Sequence, residues 1–224
     1  MTTLAFDIYG TLIDTHGVTD KLRTLVGDAA PAFSQYWRDK QLEYTFRRGL
    51  MQKYQPFPVC TRQALDYTCA HFKADIAEAD KQSLMESYRT LPAFEDVAAS
   101  LEKLQAAGLK LLAFSNGTAA AVNTLLKHAG IEKYFLDVVS VDEIKSFKPD
   151  PAVYRHFLQR AGSEAADSWL ISSNPFDVTG ALATGMKSAW VQRTPAAIFD
   201  PWEFKPDTTV TNLHELADFF ASIE

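Results

Sequence analysis

The chain has 224 residues, of which 47% are hydrophobic, and it carries a formal net charge of −6. This length predicts one large domain, or one core with an inserted segment. The acidic balance argues against nucleic acid and anionic membranes as partners, and no apolar run is long enough to span a bilayer. Because the first residues lack the features of a signal peptide, we expect a cytoplasmic protein in which Cys60 and Cys69 are free thiols.

The first structural signal is the short apolar run of residues 4–6, which predicts a buried parallel strand. Asp7 follows this strand directly, and Gly10 allows the backbone to turn sharply after it. Open α/β sheets bind ligands at the carboxyl ends of their strands, where a carboxylate can act as a nucleophile. The alternative is that Asp7 only caps the turn.

The next part of the chain, from about residue 13 to residue 91, contains no strand-like run and predicts a helical insertion. Apolar residues recur with helical spacing at Phe33, Trp37, Leu42, Phe46 and Leu50. The Pro-rich residues 55–58 should break this helix. The predicted helices span 32–54, 62–72, capped by Thr61, and 78–89.

From Pro92 onward, helices and strands alternate, which is typical of a parallel sheet. Further helices are predicted at 97–107, 118–129, 151–162, 177–185 and 213–223, and strands at 109–114, 138–140, 168–171, 188–191 and 208–211. The fold class is therefore α/β, with a Rossmann-like parallel sheet core formed by residues 1–13 and 92–224. Residues 14–91 are expected to form an inserted helical cap domain.

Several polar residues come just after predicted strands, and parallel strands share one carboxyl edge. They are Asp7, Thr11, Ser115, Asn116, Ser172, Asn174 and Asp177. Each could simply cap a helix, but their coincidence at successive strand ends favours one shared cleft that can bind an anion.

Two cations are candidates for the same cleft. Lys148 lies in an extended segment at the start of a helix, where a positive charge does not support the helix dipole. Pairing with Asp7 or Asp177 makes better electrostatic sense, although a solvated surface lysine is the alternative. Arg38 can reach the cleft if the insertion covers it, and is otherwise an exposed or ion-paired arginine.

Metal binding is not expected. The Asp-Ile-Tyr triplet of residues 7–9 contains one carboxylate, whereas a Mg²⁺ site usually has more than one. The segment of residues 172–177 also offers only one, Asp177. The histidines show no ligand spacing: His16, His71, His128, His156 and His214.

These motifs resemble the haloacid dehalogenase superfamily over nearly the whole chain, and within it the hydrolytic, cofactor-independent L-2-haloacid dehalogenases. The resemblance is carried by residues 7–12, 36–44, 115–117, 147–150 and 172–177. Phosphatases of the superfamily normally have a second Asp where Tyr9 stands. Tyr9 and the Trp37-Arg38 pair are therefore the features specific to dehalogenases.

The resemblance implies a role for each matching residue. Asp7 is the nucleophile, Arg38 and Asn116 hold the departing halide, and Ser115 binds the substrate carboxylate. Lys148 keeps Asp7 ionised and oriented, and Asp177 positions or activates water. Thr11, Tyr154, Ser172 and Asn174 complete the catalytic set, and Tyr9, Leu42, Phe57 and Phe176 line the pocket around the alkyl group. No cofactor is implied.

Two positions depart from the relatives' pattern: Asp39 stands in place of Gln and Phe176 in place of Trp. We expect the first to add negative charge near the anion site and the second to change the shape of the pocket. The expected reaction converts short (S)-2-haloacids to (R)-2-hydroxy acids and halide through an ester on Asp7.

A Mg²⁺-dependent phosphohydrolase of the same fold is one alternative, and a non-catalytic binding protein is another. A binding protein would be expected to have lost at least one of Asp7, Arg38 and Lys148. The only partner expected besides a small 2-haloacid is a second copy of the chain, joined through an exposed aromatic face of the cap helices.

Overall fold

The computed structural model describes residues 1–223, and within them a six-stranded parallel sheet forms the centre of the molecule. The strand order is β3-β2-β1-β4-β5-β6. The strands are β1 (Thr3–Phe6), β2 (Lys110–Ser115), β3 (Val138–Ser140), β4 (Ser168–Ser172), β5 (Lys187–Val191) and β6 (Thr208–Val210). β1 lies between β2 and β4, so the chain moves outward from β1 in both directions, and this creates the switch point at which such sheets bind ligands.

Helices cover both faces of this sheet and also form the insertion. The inserted helices are α1 (His16–Val26), α2 (Ala30–Leu50), α3 (Phe57–Phe72) and α4 (Glu78–Ser87). The others are α5 (Val97–Ala106), α6 (Ala119–His128), α7 (Pro151–Ala161), α8 (Pro175–Leu182) and α9 (Leu213–Ile223). The predicted fold class, an α/β parallel sheet with an inserted helical cap, is confirmed. The exact division of the chain at 13/14 and 91/92 stays a prediction.

Side chains alternate along the central strands between two apolar clusters, one on each face of the sheet. Leu4 and Phe6 of β1 pack in the cluster that contains α5, α6 and α9, whereas Ala5 packs in the cluster that contains α7 and α8. Both faces are therefore buried, which explains why the strands are continuously apolar in sequence.

In the insertion, the structure adds one helix to the prediction and corrects the bounds of two others. Helix α1 was not predicted, α2 ends at Leu50 rather than at residue 54, and α3 begins at Phe57 rather than at residue 62. The predicted break between the first two long helices is confirmed, because residues 51–56 separate α2 from α3. Pro58 lies in the first turn of α3, where the missing N–H costs no hydrogen bond, so this helix begins earlier than predicted. Thr61 is not a cap, because its hydroxyl donates to the carbonyl of Phe57 within the helix.

The pair α2 and α3 is fixed by a buried tryptophan. Trp37 is 1% exposed and donates through Nε1 to the carbonyl of Thr61 at 2.9 Å. The ring of Tyr88 meets the Trp37 indole edge-on, with 5.7 Å between the centroids. These contacts set the orientation of α2 and hence the direction in which Arg38, the next residue, faces. Within residues 1–223, no helix has both the length and the apolar character required to cross a bilayer.

Candidate active site

The site is built around the loop that follows β1. The N–H of Asp7 continues the sheet pairing with the carbonyl of Ile171 in β4 at 3.0 Å, so its position is set by the strand. Gly10 has a φ of +78°, a conformation that glycine adopts readily and that is strained for other residues. This turn allows the N–H groups of Thr11 and Leu12 to reach the carbonyl of Ile8, which brings the Thr11 side chain back to Asp7.

The two oxygens of Asp7 have different surroundings. Oδ2 accepts hydrogen bonds from the Thr11 hydroxyl at 2.9 Å, the Ser172 hydroxyl at 3.2 Å and the Asn174 amide at 2.7 Å. Oδ1 accepts one, from Lys148 Nζ at 3.2 Å. Three donors therefore fix the carboxylate through one oxygen and leave the other free to react.

Lys148 is buried beneath Asp7 and contacts three acceptors. Besides Asp7, its ammonium donates to Asp177 Oδ2 at 2.7 Å and to the carbonyl of Phe114 at 2.9 Å. The sequence left open whether Lys148 pairs with Asp7 or with Asp177, and the structure shows that it pairs with both. Because a single cation neutralises part of both charges, two carboxylates can lie close together in a buried position.

Asp177 is fully buried in the first turn of α8. Its Oδ1 accepts from the Tyr154 hydroxyl at 2.7 Å. Burial raises the pKa of Asp177 from 3.8 to about 6, although the charge of Lys148 opposes this rise. Burial also raises the pKa of Tyr154 well above its ordinary value, so that the phenol stays protonated and donates. Asp177 can consequently change its protonation state near neutral pH, which suits a group that handles a proton.

Arg38 reaches this cluster from the inserted helix α2. Its guanidinium donates to Asn174 Oδ1, and the amide of Asn174 donates in turn to Asp7. Arg38 forms no ion pair with a carboxylate of residues 1–223. A positive charge that is held only by a neutral amide is available to an incoming anion.

A cavity of about 580 Å³ lies above Asp7 and beneath Arg38. All residues predicted to contact substrate or halide line it: Tyr9, Arg38, Leu42, Phe57, Ser115, Asn116 and Phe176. Asp7 and Asn174 also reach its surface. The structure places the remaining predicted residues behind Asp7. Thr11, Lys148 and Ser172 contact the Asp7 carboxylate, and Tyr154 contacts Asp177.

Ser115 and Asn116 are held at the end of β2 by one local and one long-range hydrogen bond. The Ser115 hydroxyl accepts from the N–H of Gly117 at 3.0 Å. Asn116 Oδ1 accepts from the backbone N–H of Lys148 at 2.9 Å, which leaves its amide nitrogen as the end that can donate to an anion. Both side chains are therefore oriented before any ligand arrives.

Of the two departures from the relatives' pattern, only Phe176 acts at the cavity. Phe176 lines it and meets the ring of Phe46 edge-on at 5.3 Å. Asp39 is exposed, accepts from Gln35 at 2.8 Å and does not line the cavity. Asp39 therefore does not contact the anion site directly, because consecutive residues of a helix face different directions.

One side of the cavity, formed by the end of α4 and the residues after it, was not predicted from the sequence. Met85 and Tyr88 line this wall, together with the exposed side chains of Gln82, Glu86 and Arg89. Tyr88 packs edge-on against Tyr9 at 6.0 Å, and burial raises the pKa of both phenols. Their signal was the three-residue spacing of Met85 and Tyr88, which places both on one face of a helix.

The hydrogen bonds that Asp177 accepts argue against the phosphohydrolase alternative. Both of its oxygens already accept hydrogen bonds from the protein, one from Lys148 and one from Tyr154. A Mg²⁺ ion bridging Asp7 and Asp177 would have to displace these donors. Among residues 1–223, no three His, Cys, Asp or Glu side chains lie close enough to hold a metal ion together. The residues present do not fit the ion, and the phosphohydrolase alternative is not favoured.

The sheet, the inserted cap and the Asp7-Lys148-Asp177 cluster define a hydrolase of the haloacid dehalogenase type. A family model described as haloacid dehalogenase-like hydrolase matches residues 1–185, and the chain belongs to this family. It is 36% identical to an (S)-2-haloacid dehalogenase of Pseudomonas sp. strain YL, over 97% of this chain and 93% of the relative. It is 35% identical to haloacetate dehalogenase H-2 of Moraxella sp. strain B, over 97% of both chains.

A solved structure supports the same conclusion. The L-2-haloacid dehalogenase of Xanthobacter autotrophicus, determined with chloropropionic acid covalently bound, matches with a TM-score of 0.92 and 30% identity over 100% of both chains. The resemblance that the sequence motifs predicted is confirmed.

Proposed function

We propose that this protein hydrolyses short (S)-2-haloacids to (R)-2-hydroxy acids and halide, through an ester between Asp7 and the substrate. The observation that carries the proposal is the asymmetry of the Asp7 carboxylate. Oδ2 is held by three donors, whereas Oδ1 has one contact at 3.2 Å. An oxygen that is oriented but weakly solvated is a good nucleophile.

In the first step, Asp7 Oδ1 attacks the carbon that bears the halogen, from the side opposite the leaving group. The carbon–oxygen bond of the ester forms as the carbon–halogen bond breaks, and the halide leaves with the bonding electron pair. Arg38 and the amide of Asn116 bind the departing halide, and their positive charge and N–H dipoles lower the barrier as negative charge develops there. Attack from the opposite side inverts the configuration of the carbon.

In the second step, water attacks the carbonyl carbon of the Asp7 ester. Asp177, with a pKa raised to about 6, takes the proton from this water directly or through an intervening water molecule. The ester bond breaks, the hydroxy acid leaves and Asp7 is restored as a carboxylate. The net reaction consumes one water and one haloacid and releases one hydroxy acid, one halide and one proton.

The surroundings of the substrate support this sequence of steps. Ser115 and neighbouring backbone N–H groups take the substrate carboxylate. Leu42, Phe57 and Phe176 surround the alkyl group and exclude water from Asp7. Lys148 balances the charge of the carboxylates from below without contacting the substrate.

The route of oxygen tests the proposal. With enzyme in large excess over (S)-2-chloropropionate in ¹⁸O-water, the first turnover should give mostly unlabelled lactate. The heavy oxygen should appear in the peptide that contains Asp7, and label should enter product in later turnovers. Mass spectrometry of the product and of the digested enzyme measures the heavy oxygen in each. If product is labelled from the first turnover while the Asp7 peptide stays light, water attacks carbon directly and the ester mechanism is wrong.

Three further expectations stay predictions: the domain division at 13/14 and 91/92, a cytoplasmic location and a homodimer. The dimer prediction rests on the aromatic face of α2 and α3, where Tyr36 and Tyr67 stack and Lys40 Nζ lies 4.4 Å from the Tyr67 ring centroid. Light scattering of the purified protein measures its mass directly, and Tyr67→Glu should lower the mass to that of a monomer if this face joins the subunits.

A further inference from the structure

The inserted helices join the rest of the chain through two linkers that pair with each other. The N–H of Asp14 donates to the carbonyl of Pro92 at 2.9 Å, and the N–H of Phe94 donates to the carbonyl of Leu12 at 3.0 Å. Residues 12–14 and 92–94 therefore pair as a short antiparallel ribbon. We call this ribbon, together with the adjoining residues 11 and 95–96, the linker ribbon. Thr11, whose hydroxyl binds Asp7, is the first residue of this ribbon.

One arginine from another part of the chain holds both halves of the linker ribbon. Arg193 follows β5 and donates to the carbonyl of Thr11 through Nε at 3.1 Å and Nη2 at 2.7 Å. Its Nη1 donates to Asp96 Oδ2 at 2.6 Å, and its guanidinium lies 4.2 Å from the centroid of the Phe94 ring. The guanidinium thus contacts the outgoing linker at Thr11 and the returning linker at Phe94 and Asp96.

Asp96 binds Arg193 instead of capping a helix, and one of its oxygens is left without a hydrogen bond from the described part of the chain. It stands directly before α5, in the position where an aspartate normally caps the helix, yet its side chain makes no capping bond. Its Oδ2 instead accepts from Arg193 and from the N–H of Leu213 at 2.6 Å. Its Oδ1 is buried without a partner among residues 1–223. The Arg193 and Asp96 side chains are 13% and 11% exposed, so this is a nearly dry ion pair.

We propose that Arg193 is a positioning residue for Asp7, acting through Thr11. This inference rests on the proposed function, because the step that it supports is the attack by Asp7. The two N–H groups on the Thr11 carbonyl fix the backbone of Thr11, and its hydroxyl then fixes Asp7 Oδ2. The contacts with Phe94 and Asp96 tie the returning linker to the same point.

Arginine suits this position because its planar group offers several donors in fixed directions while stacking on an aromatic ring. Methionine would retain much of the side-chain volume but none of these donors, and lysine would retain one charged group that cannot reach both acceptors in the same geometry. Arg193→Met therefore removes the restraint on Thr11 while retaining side-chain volume, and it also lowers stability because Asp96 loses its cation.

The test is a double-mutant cycle on halide release from (S)-2-chloropropionate, with Arg193→Met, Thr11→Val and the double variant. We expect Arg193→Met to lower kcat by about 10-fold or more with KM nearly unchanged, since misplacing a reacting group impairs the chemical step. If Arg193 acts through Thr11, the double variant should lose little more than Thr11→Val alone.

Arg160→Met is the matched control. Arg160 also binds two carboxylates, those of Asp137 and Glu143, but on the outer side of α7. This variant should change stability without changing kcat. If Arg193→Met does not fold, Arg193→Lys takes its place in the same cycle, with the same lack of additivity expected.

The outcomes separate the two proposals. Wild-type protein that releases no halide from either enantiomer of the substrate overturns the proposed function. An active wild type with an unchanged Arg193 variant overturns the positioning role alone. The positioning role is also overturned if the fold-losses in kcat of Arg193→Met and Thr11→Val multiply in the double variant, or if Arg160→Met lowers kcat as much as Arg193→Met does. Either result would assign Arg193 a general structural role.

Discussion

Replacing Lys148 with methionine tests the charge balance beneath Asp7. The side chain is 1% exposed, and its ammonium is the shared donor to Asp7, Asp177 and the carbonyl of Phe114. Methionine approximates the volume, so the main effect is the removal of a buried charge from between two carboxylates. Removing one partner of a buried ion pair typically costs about 3–5 kcal/mol, a large part of the stability of a domain of this size.

The loss of stability in Lys148→Met should depend on pH, in the direction set by the pKa of Asp177. Its pKa in the folded protein is about 6, compared with an ordinary 3.8, so the folded state takes up a proton more readily than the unfolded state. Stability from this group is fully present below the ordinary pKa and falls as pH rises through about 6. Without Lys148, whose charge and hydrogen bond both lower this pKa, the fall should extend to higher pH. The variant should therefore lose more stability at pH 8 than at pH 5, by up to ~1.4 kcal/mol for each unit of further shift.

Urea unfolding of wild type and Lys148→Met at both pH values measures this difference. Lys103→Met is the control, because Lys103 is exposed on α5 and its loss should change the free energy of unfolding by less than about 0.5 kcal/mol at either pH. A loss for Lys148→Met that is equally large at both pH values would refute the reasoning, since it would mean that packing rather than charge accounts for the cost. Haloacid turnover by this variant should be abolished.

Three further predictions concern catalysis. Exhaustive chelation should leave haloacid turnover unchanged, because Lys148 and Tyr154 already occupy the oxygens of Asp177, and a loss that Mg²⁺ restores would contradict this. Arg38→Ala should lower turnover by about 10-fold or more, which corresponds to ~1.4 kcal/mol of activation barrier. The free energy of unfolding should change by no more than about 0.5 kcal/mol, because Arg38 is only partly buried. Near-normal halide release by this variant would place the halide site elsewhere. The kcat should be about 10-fold lower at pH 5 than at pH 8, because Asp177, with a pKa of about 6, is then mostly protonated. A flat pH profile would exclude Asp177 as the base.

The sheet was predictable because its signals are local. Each strand is an apolar run that is buried on both faces and bounded by turn residues, and the predicted strands match the observed strands within one or two residues. Helix α1 was missed although Val18 and Leu22 show the four-residue spacing of a buried helix face. The Pro-rich residues 55–58 were correctly interpreted as a break, but the start of α3 at Phe57 was not predicted, because a proline in a helix interior and one in a first turn look alike in sequence.

The site was predictable as far as it follows strand ends and known motifs. Asp7 directly follows β1, Ser115 is the last residue of β2 and Asn174 stands directly before α8, so the topology brings them together. The contributions of Tyr88 and Arg193 were not predicted, because each depends on how distant parts of the chain pack. Nothing near Arg193 in sequence indicates that its guanidinium meets Thr11, 182 positions away.

The binding state of Arg38 determines how strongly an incoming anion can be held. Had Arg38 been paired with a carboxylate such as Asp39, a substrate or halide would have to break an ion pair to gain one, and the net gain in free energy would be small. Arg38 instead rests on the neutral oxygen of Asn174, while Asp39 binds Gln35 on the exposed side of the helix. An arriving anion therefore replaces a contact between a charge and a dipole with one between two charges. Although the same Asn174 donates to Asp7, loosening its bond to Arg38 leaves the nucleophile held by two further donors, the hydroxyls of Thr11 and Ser172.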